Sequence, residues 1–365
     1  MENTPQDLHP EDQNPDSNQL DSEEAGPEPD TEDGYWEYKK LSADPGQRPI
    51  RLDRWLTMIL KNKSRTNIKN ATEAGGIRVN DKVVKASYKV KPGDEVTVLL
   101  PHPPPPELAP EDIPLDIPYE DEDLLILNKR PGMVVHPGVG NWTGTMLHGL
   151  LYHFNRDILD QPKEDWNFPT LVHRIDKDTS GLLVIPKHGF ANSFLARQFY
   201  ERTTDRLYNA IVWGDVKEDQ GTVTGHVGRD RIRRKLFTVY PDGSVGKHAV
   251  THYTVLERFG FATLVQCKLE TGRTHQIRVH MKHLGHTLFS DWFYGGDNIL
   301  VRSNLPRFND FIRNVMAILP RQALHARTLG FIHPQTRERV GFSSELPEDM
   351  TLALEKMRKY RDAYL

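Results

Sequence analysis

Three short segments hold side chains whose types and spacing could do chemistry together. In VHRIDKDTSGLLVI at 172–185, one aspartate, Asp176, stands behind a basic pair and ahead of an apolar run that reads as a strand. A carboxylate on a loop entering a buried strand can be held rigidly, as a nucleophile must be. Aspartate before Thr-Ser-Gly is also a common turn former, so the loop alone leaves both readings open. The segment RLYNAIVWG at 206–214 adds Tyr208, either a core aromatic or a flat stacking surface. In ETGRTHQIRVH at 270–280, Arg278 is either a surface cation or a partner for Asp176. An arginine beside that carboxylate would favour its ionised form, at a desolvation cost that only good geometry offsets.

Other polar residues fall in behind these three. Arg174 and Arg273 are candidates for phosphate contact or for filling the space an extruded group vacates. Lys129, His136 and His275 could line a pocket or support it. Thr179 and Ser180 are expected to cap or turn the loop, since no base is paired with them. His280, His283 and His286 recur at three-residue steps, but no HExxH or carboxylate partner accompanies them, so no metal site is expected. Walker and dinucleotide-binding glycine patterns are missing, and no cofactor is expected.

The elements that must position these residues follow from composition and period. Beyond Tyr119 come the strand-like runs LLILN, GLLVIPK, YNAIVWG, AVTHYTVL and ATLVQCKL, with helical stretches at 188–202 and 274–284. Dense strands with few βαβ units predict an α+β domain over 119–365, built on a mixed, mainly antiparallel sheet. Residues 101–118, PHPPPPELAPEDIPLDIP, read as a semi-rigid proline-rich linker. Before it, Leu52, Trp55, Leu56, Ile59 and Leu60 recur at helical spacing, and a second helix is expected from Arg65 to Ala74. A small sheet with turns at Asn80–Asp81 and Pro92–Gly93–Asp94 completes a module over 48–100. Residues 1–47 are too acidic and too poor in large apolar groups to offset chain entropy, and are expected to be a disordered tail.

Charge separates along the same boundaries. The net charge of −4 conceals residues 1–34, with twelve Asp or Glu and no Lys or Arg. Residues 50–91 carry eleven basic and three acidic residues. A short basic module behind an acidic tail suits a polyanion binder. The single cysteine, Cys267, excludes an intrachain disulfide and suits a reducing compartment. No apolar run spans a membrane and the N-terminus lacks a secretory pattern, so a cytoplasmic location is expected.

Two family resemblances sharpen these expectations. RLDRWL at 51–56, GGIRVNDK at 75–82 and KPGDEVTV at 91–98 resemble the RNA-binding domain named for ribosomal protein S-four. Such modules lay a basic helix pair on structured RNA, which implicates Arg51, Arg54, Lys63, Arg65, Lys69 and Arg78. HRIDKDTSGLLVIPK looks like the catalytic motif of RNA pseudouridine synthases of the large-subunit ribosomal A/D family. NKRPGMVVHPGVGNWTGTMLHGLL at 128–151, RLYNAIVWG, TGRTHQIRVHMKHLGHTLFSD at 271–291 and RQALHARTLGFIHPQT at 321–336 match it in the same order. The HPG of 136–138 and the segment at 233–253 point to its D-type branch. The chain departs from the family at NKRPGM, at Ile175 in place of leucine and at Pro186 in place of alanine, and none of these removes a functional group.

The resemblance implies a nucleophilic Asp176, a base-stacking Tyr208 and an Arg278 facing the aspartate. It implies a monomer that isomerises uridine to pseudouridine in RNA, with large-subunit ribosomal RNA or pre-ribosomal particles as partner and transfer RNA as the alternative. Two further readings compete: an assembly factor with little activity, and a nucleoside glycosidase. The latter chemistry usually needs paired carboxylates, and no motif ties a second one to Asp176.

Overall fold

A computed structural model of the chain describes residues 35–60, 64–101, 107–138 and 140–365. The acidic stretch 1–34 and Lys63 lie outside the described residues. The described residues divide into a small unit, up to Glu107 and including Gly138–Trp142, and a large one over Leu108–Pro137 and Thr143–Leu365.

In the small unit, helix α1 (Leu52–Ile59) buries Leu52, Trp55 and Leu56, the stripe its spacing predicts. These side chains meet Ile68 of α2 (Arg65–Glu73) and Ile77, Val79, Val90, Val96 and Val98 in one core. The chain runs β1 (Tyr35–Ser42), β2 (Ile50–Arg51), α1, α2, β3 (Ile77–Val79), β4 (Lys82–Val83), β5 (Lys89–Val90) and β6 (Glu95–Pro101). Asn80 and Asp81 both adopt positive φ, which closes the tight β3–β4 hairpin. Strand β1 corrects the boundary expected at residue 48. It pairs antiparallel with β6 from Tyr35↔Pro101 to Ser42↔Glu95. The stretch YWEYKKLS has the aromatics of a strand, but the acidic composition around it hid the signal.

The large unit is a ten-stranded sheet with helices packed against it. Its strands are β7 (Tyr119–Glu120), β8 (Leu124–Lys129), β9 (Ser180–Pro186), β10 (Asp205–Trp213), β11 (Gln220–Arg229), β12 (Phe237–Tyr240), β13 (Lys247–Arg258), β14 (Ala262–Leu269), β15 (Leu324–Ile332) and β16 (Arg339–Ser343). Their order is β12-β11-β13-β14-β10-β15-β9-β8-β7, with β16 on β15. Every pairing is antiparallel except β15 with β9. The expected mixed, mainly antiparallel α+β domain is therefore observed.

Both faces of the central strands are covered. In β10, Tyr208, Ala210 and Val212 enter one core, while Ile211 and Trp213 enter another. That is why YNAIVWG reads as an unbroken apolar run and not an alternating one. The first core takes in Leu147 and Leu150 of α3 (Met146–Asn155) and Ile277 and Met281 of α5 (Gln276–His283). The second takes in α6 (Phe308–Ile318) and α7 (Glu348–Tyr364). Helix α4 (Gly189–Glu201) sends Leu195 into a third, beside Leu182 and Val184 of β9.

The expected linker also needs correction. Leu108, Ile113, Leu115 and Ile117 pack against the first core, so residues 108–118 belong to the large unit. The missing N–H groups of proline exclude a regular ladder, yet the alternating apolar residues at 113, 115 and 117 still bury.

Candidate active site

Asp176 sits on the loop before β9, and three consecutive carbonyls of that loop are tied down. The Asp176 carbonyl accepts from the Thr179 N–H at 3.1 Å. The Lys177 carbonyl accepts from Lys129 Nζ at 2.6 Å and from the Gly132 N–H at 3.0 Å. The Asp178 carbonyl accepts from Arg321 Nη1 at 2.8 Å, and Arg321 is itself forked onto Asp349 at 2.7 and 2.9 Å. Lys129, 1 % exposed, also donates to the carbonyls of Arg130 and Met133. It supports the loop and does not line the cleft. Behind the loop, Gly181 has φ +114°, and a Cβ there would stand 2.3 Å from the Ala326 carbonyl oxygen. The glycine of the TSG turn is what lets β9 run parallel to β15 at Ser180↔His325 and Gly181↔Ala326.

Across the cleft, α5 carries Arg278 to the same carboxylate. Arg278 Nη1 donates to Asp176 Oδ2 at 2.8 Å. Its Nε and Nη2 form a fork on Asp291 Oδ2 and Oδ1 at 2.8 and 2.9 Å. The guanidinium lies 5.0 Å from the centre of the Tyr294 ring and 5.7 Å from that of Phe293. His275 Nε2 stands 3.9 Å from the same Oδ2, while Oδ1 takes no hydrogen bond from any described residue. The stretch expected as helical at 274–284 forms its helix from Gln276 to His283, entered through a left-handed His275 with φ 52°.

The charges here compete, and the outcome is one-sided. Burial opposes ionisation of Asp176, but positive charge at His275 and then Arg278, with the Arg278 hydrogen bond, holds its carboxyl down to about 2. Burial drives His275 down to about 4, so its ring is neutral near pH 7 and Arg278 carries the pairing. The Tyr294 hydroxyl accepts from the Phe237 N–H at 3.2 Å and lies 2.7 Å from His275 Nδ1. Either group can donate in the bond to Nδ1, according to the His275 tautomer. Tyr208, 7 % exposed, lines the cleft from β10, and burial raises its phenol pKa, so its ring stays neutral.

These residues enclose a cleft of about 630 Å³. Asp176, Tyr208 and Arg278 meet there, with Arg174, Arg273 and His275 on its walls. His136 is not among the lining residues. Of the candidates in the small unit, Arg51 and Arg65 both bind the buried Asp53 carboxylate, at 3.1 and 2.9 Å. Arg54 and Lys69 are exposed, Lys69 opposite Glu73 on the next turn, and Arg78 is half-buried. Sequence reasoning missed Asp291, Tyr294 and Arg206. The available signal was DWFYGG at 291–296, an aspartate leading an aromatic run just after α5.

A clamped carboxylate, a salt-bridged arginine and a buried tyrosine in a basic cleft define an enzyme that handles a polyanion. Comparison with known proteins gives the class. The family model for RNA pseudouridylate synthase matches residues 123–283, and that for the S4 domain matches 50–96. An uncharacterised RNA pseudouridine synthase of Chlorobaculum parvum is 47% identical over 87% of this chain and 97% of its own length. The ribosomal large subunit pseudouridine synthase D of Zymomonas mobilis is 42% identical over 83% of this chain and 92% of its own. In fold, human RNA pseudouridylate synthase domain containing 4 superposes with a TM-score of 0.50 at 23% identity, covering 66% of this chain and 92% of that one. The chain belongs to the RNA pseudouridine synthase family, with an S4 domain ahead of the catalytic unit.

Proposed function

We propose that this enzyme isomerises uridines of large-subunit ribosomal RNA, free or in pre-ribosomal particles, with Asp176 as nucleophile. Converting uridine to pseudouridine breaks the C1′–N1 bond, turns the uracil and joins C1′ to C5. N1 gains a proton and C5 loses one, so neither a redox partner nor a group donor enters. The observation that carries the proposal is the unequal treatment of the two Asp176 oxygens. Arg278 holds Oδ2, and Oδ1 is left without a partner among the described residues in a cleft that Tyr208 also lines. Uracil reaches such a cleft only by leaving its stack, and a stacking contact with the Tyr208 ring contributes roughly 1–3 kcal/mol toward that cost.

The ribosomal target is supported by the relatives named for the large subunit and by the basic S4 domain. Transfer RNA is the second substrate to test. The enzyme is proposed to act as a monomer, with Asp176, Tyr208 and Arg278 meeting in one chain's cleft. The single buried Cys267 fits work in the reducing cytoplasm.

The test is a map of pseudouridines in ribosomal and transfer RNA from cells with the enzyme, without it, and with Asp176→Asn. Sites should vanish from large-subunit RNA in both deficient strains. The purified D176N chain should keep wild-type RNA affinity while losing product. Turnover near wild type in D176N would overturn the assignment of Asp176, and unchanged large-subunit RNA would overturn the substrate.

A further inference from the structure

Arg206 is a buried cation that meets no anion among the described residues. It is 8 % exposed, and its Nε is fully enclosed without a hydrogen-bond partner. Among the described residues its guanidinium meets no carboxylate and donates no hydrogen bond; it lies 5.5 Å from the Phe199 ring, and its charge acts on the neutral His173 and Tyr208. The adjacent Asp205 is on the other side of the strand and is committed to Arg339 and Lys268. Of the carboxylates lining the cleft, Asp176 is held by Arg278 and Glu270 by His252. A buried charge left unpaired is costly and is not retained for packing. Methionine or leucine would fill the same space without that cost.

The position of Arg206 says what it is kept for. It lines the active-site cleft, two residues before Tyr208 on β10, so the two side chains share a face. Gly272 also lines the cleft and lies against the guanidinium: a Cβ there would stand 2.9 Å from Nη1, so the glycine leaves the cation its room. Beside it, His173 accepts from the Val184 N–H at 3.0 Å and is held neutral, to about 3, by burial and then by Arg206.

We infer that Arg206 binds a backbone phosphate of the RNA strand whose uridine enters the cleft. The inference rests on the proposed RNA substrate. A guanidinium offers a planar fork matched to phosphate oxygens, and an incoming phosphate supplies the missing counter-charge. Arg206 thereby fixes the strand beside the stacking tyrosine, and it is a binding residue with no part in bond making.

The test uses the full chain, a single-stranded oligouridylate as probe, and the variants Arg206→Met and Arg206→Lys. R206M should melt at or above wild type, because it removes an unpaired buried charge. Its affinity for the oligouridylate should fall about tenfold, and the slope of log affinity against log salt should shrink by about one. R206K should keep the slope and lose part of the affinity. An R206M chain that melts several degrees lower with an unchanged salt slope would make Arg206 a packing residue. Failure of the wild-type chain to bind RNA would instead sink the substrate assignment, and Arg206 with it.

Discussion

Arg278 lies between two carboxylates in unequal surroundings. Asp291 is fully buried and takes two of its N–H groups, whereas Asp176 is 19 % exposed at the side chain and takes one. Asp291 therefore orients the arginine, and Asp176 borrows its charge. Removing the two acids should have opposite signatures. Asp176→Asn leaves the Arg278–Asp291 pair whole, so stability should change little while product formation stops. Asp291→Asn leaves a buried guanidinium short of its main partner, which costs about 3–5 kcal/mol. Urea unfolding should show that loss, together with a lower turnover. A D291N chain as stable as wild type would remove Asp291 from the support of Arg278. Asp176, Tyr208 and Arg278 were legible because each lies in a short run of distinctive residues. Asp291 and Arg206 were not, since an isolated acid or cation on a strand looks like surface until its burial is known.

At the scale of elements, the parallel contact between β9 and β15 sets the reach of the Asp176 loop. It depends on Gly181, whose positive φ and crowded Cα exclude any side chain. Gly181→Ala would drive a methyl group into the Ala326 backbone, which cannot move without breaking the sheet. We expect a loss above about 4 kcal/mol, in the range reserved for structural failure, read as insoluble protein or a collapsed urea midpoint. Unaltered folding would show that the loop is held by Lys129 and Arg321 alone. The turn was visible in DTSG, but its parallel partner, 145 residues later, was not.

At the scale of the molecule, acid should unfold this protein earlier than its carboxylates titrate. His173, His280 and His325 are deeply buried, and burial lowers them to about 3, 4 and 4. In the unfolded chain they would titrate near 6.5, so below that pH unfolding takes up protons. Each depressed histidine then removes stability as pH falls, by about 1.4 kcal/mol per unit, until its folded pKa is reached. The three together imply a slope of about 4 kcal/mol per unit between pH 6 and 4. Asp176 adds its own loss only as pH falls below its ordinary value of 3.8 toward about 2. Chemical denaturation at pH 7.5, 6.0 and 5.0 would show it; a flat profile to pH 5 would contradict the buried neutral state. Among the described residues no helix is long and apolar enough to cross a membrane.

Local order determined much of this protein from sequence alone. Periodicity placed α1, α2, α4 and α5, apolar runs placed the main strands, and α3, α6 and α7 went unread. Residue type made Asp176, Tyr208 and Arg278 candidates, and the family resemblance of the segments around them implied their roles, because such motifs carry their chemistry in contiguous residues. Tertiary structure alone decided what those residues meet. The pairing of β1 with β6, the docking of residues 108–118 and the fork of Arg278 on Asp291 all join positions distant in sequence or masked by composition. The same is true of the unpaired Arg206. Burial and long-range pairing are properties of the packed chain, and they turn an ordinary basic residue into a site.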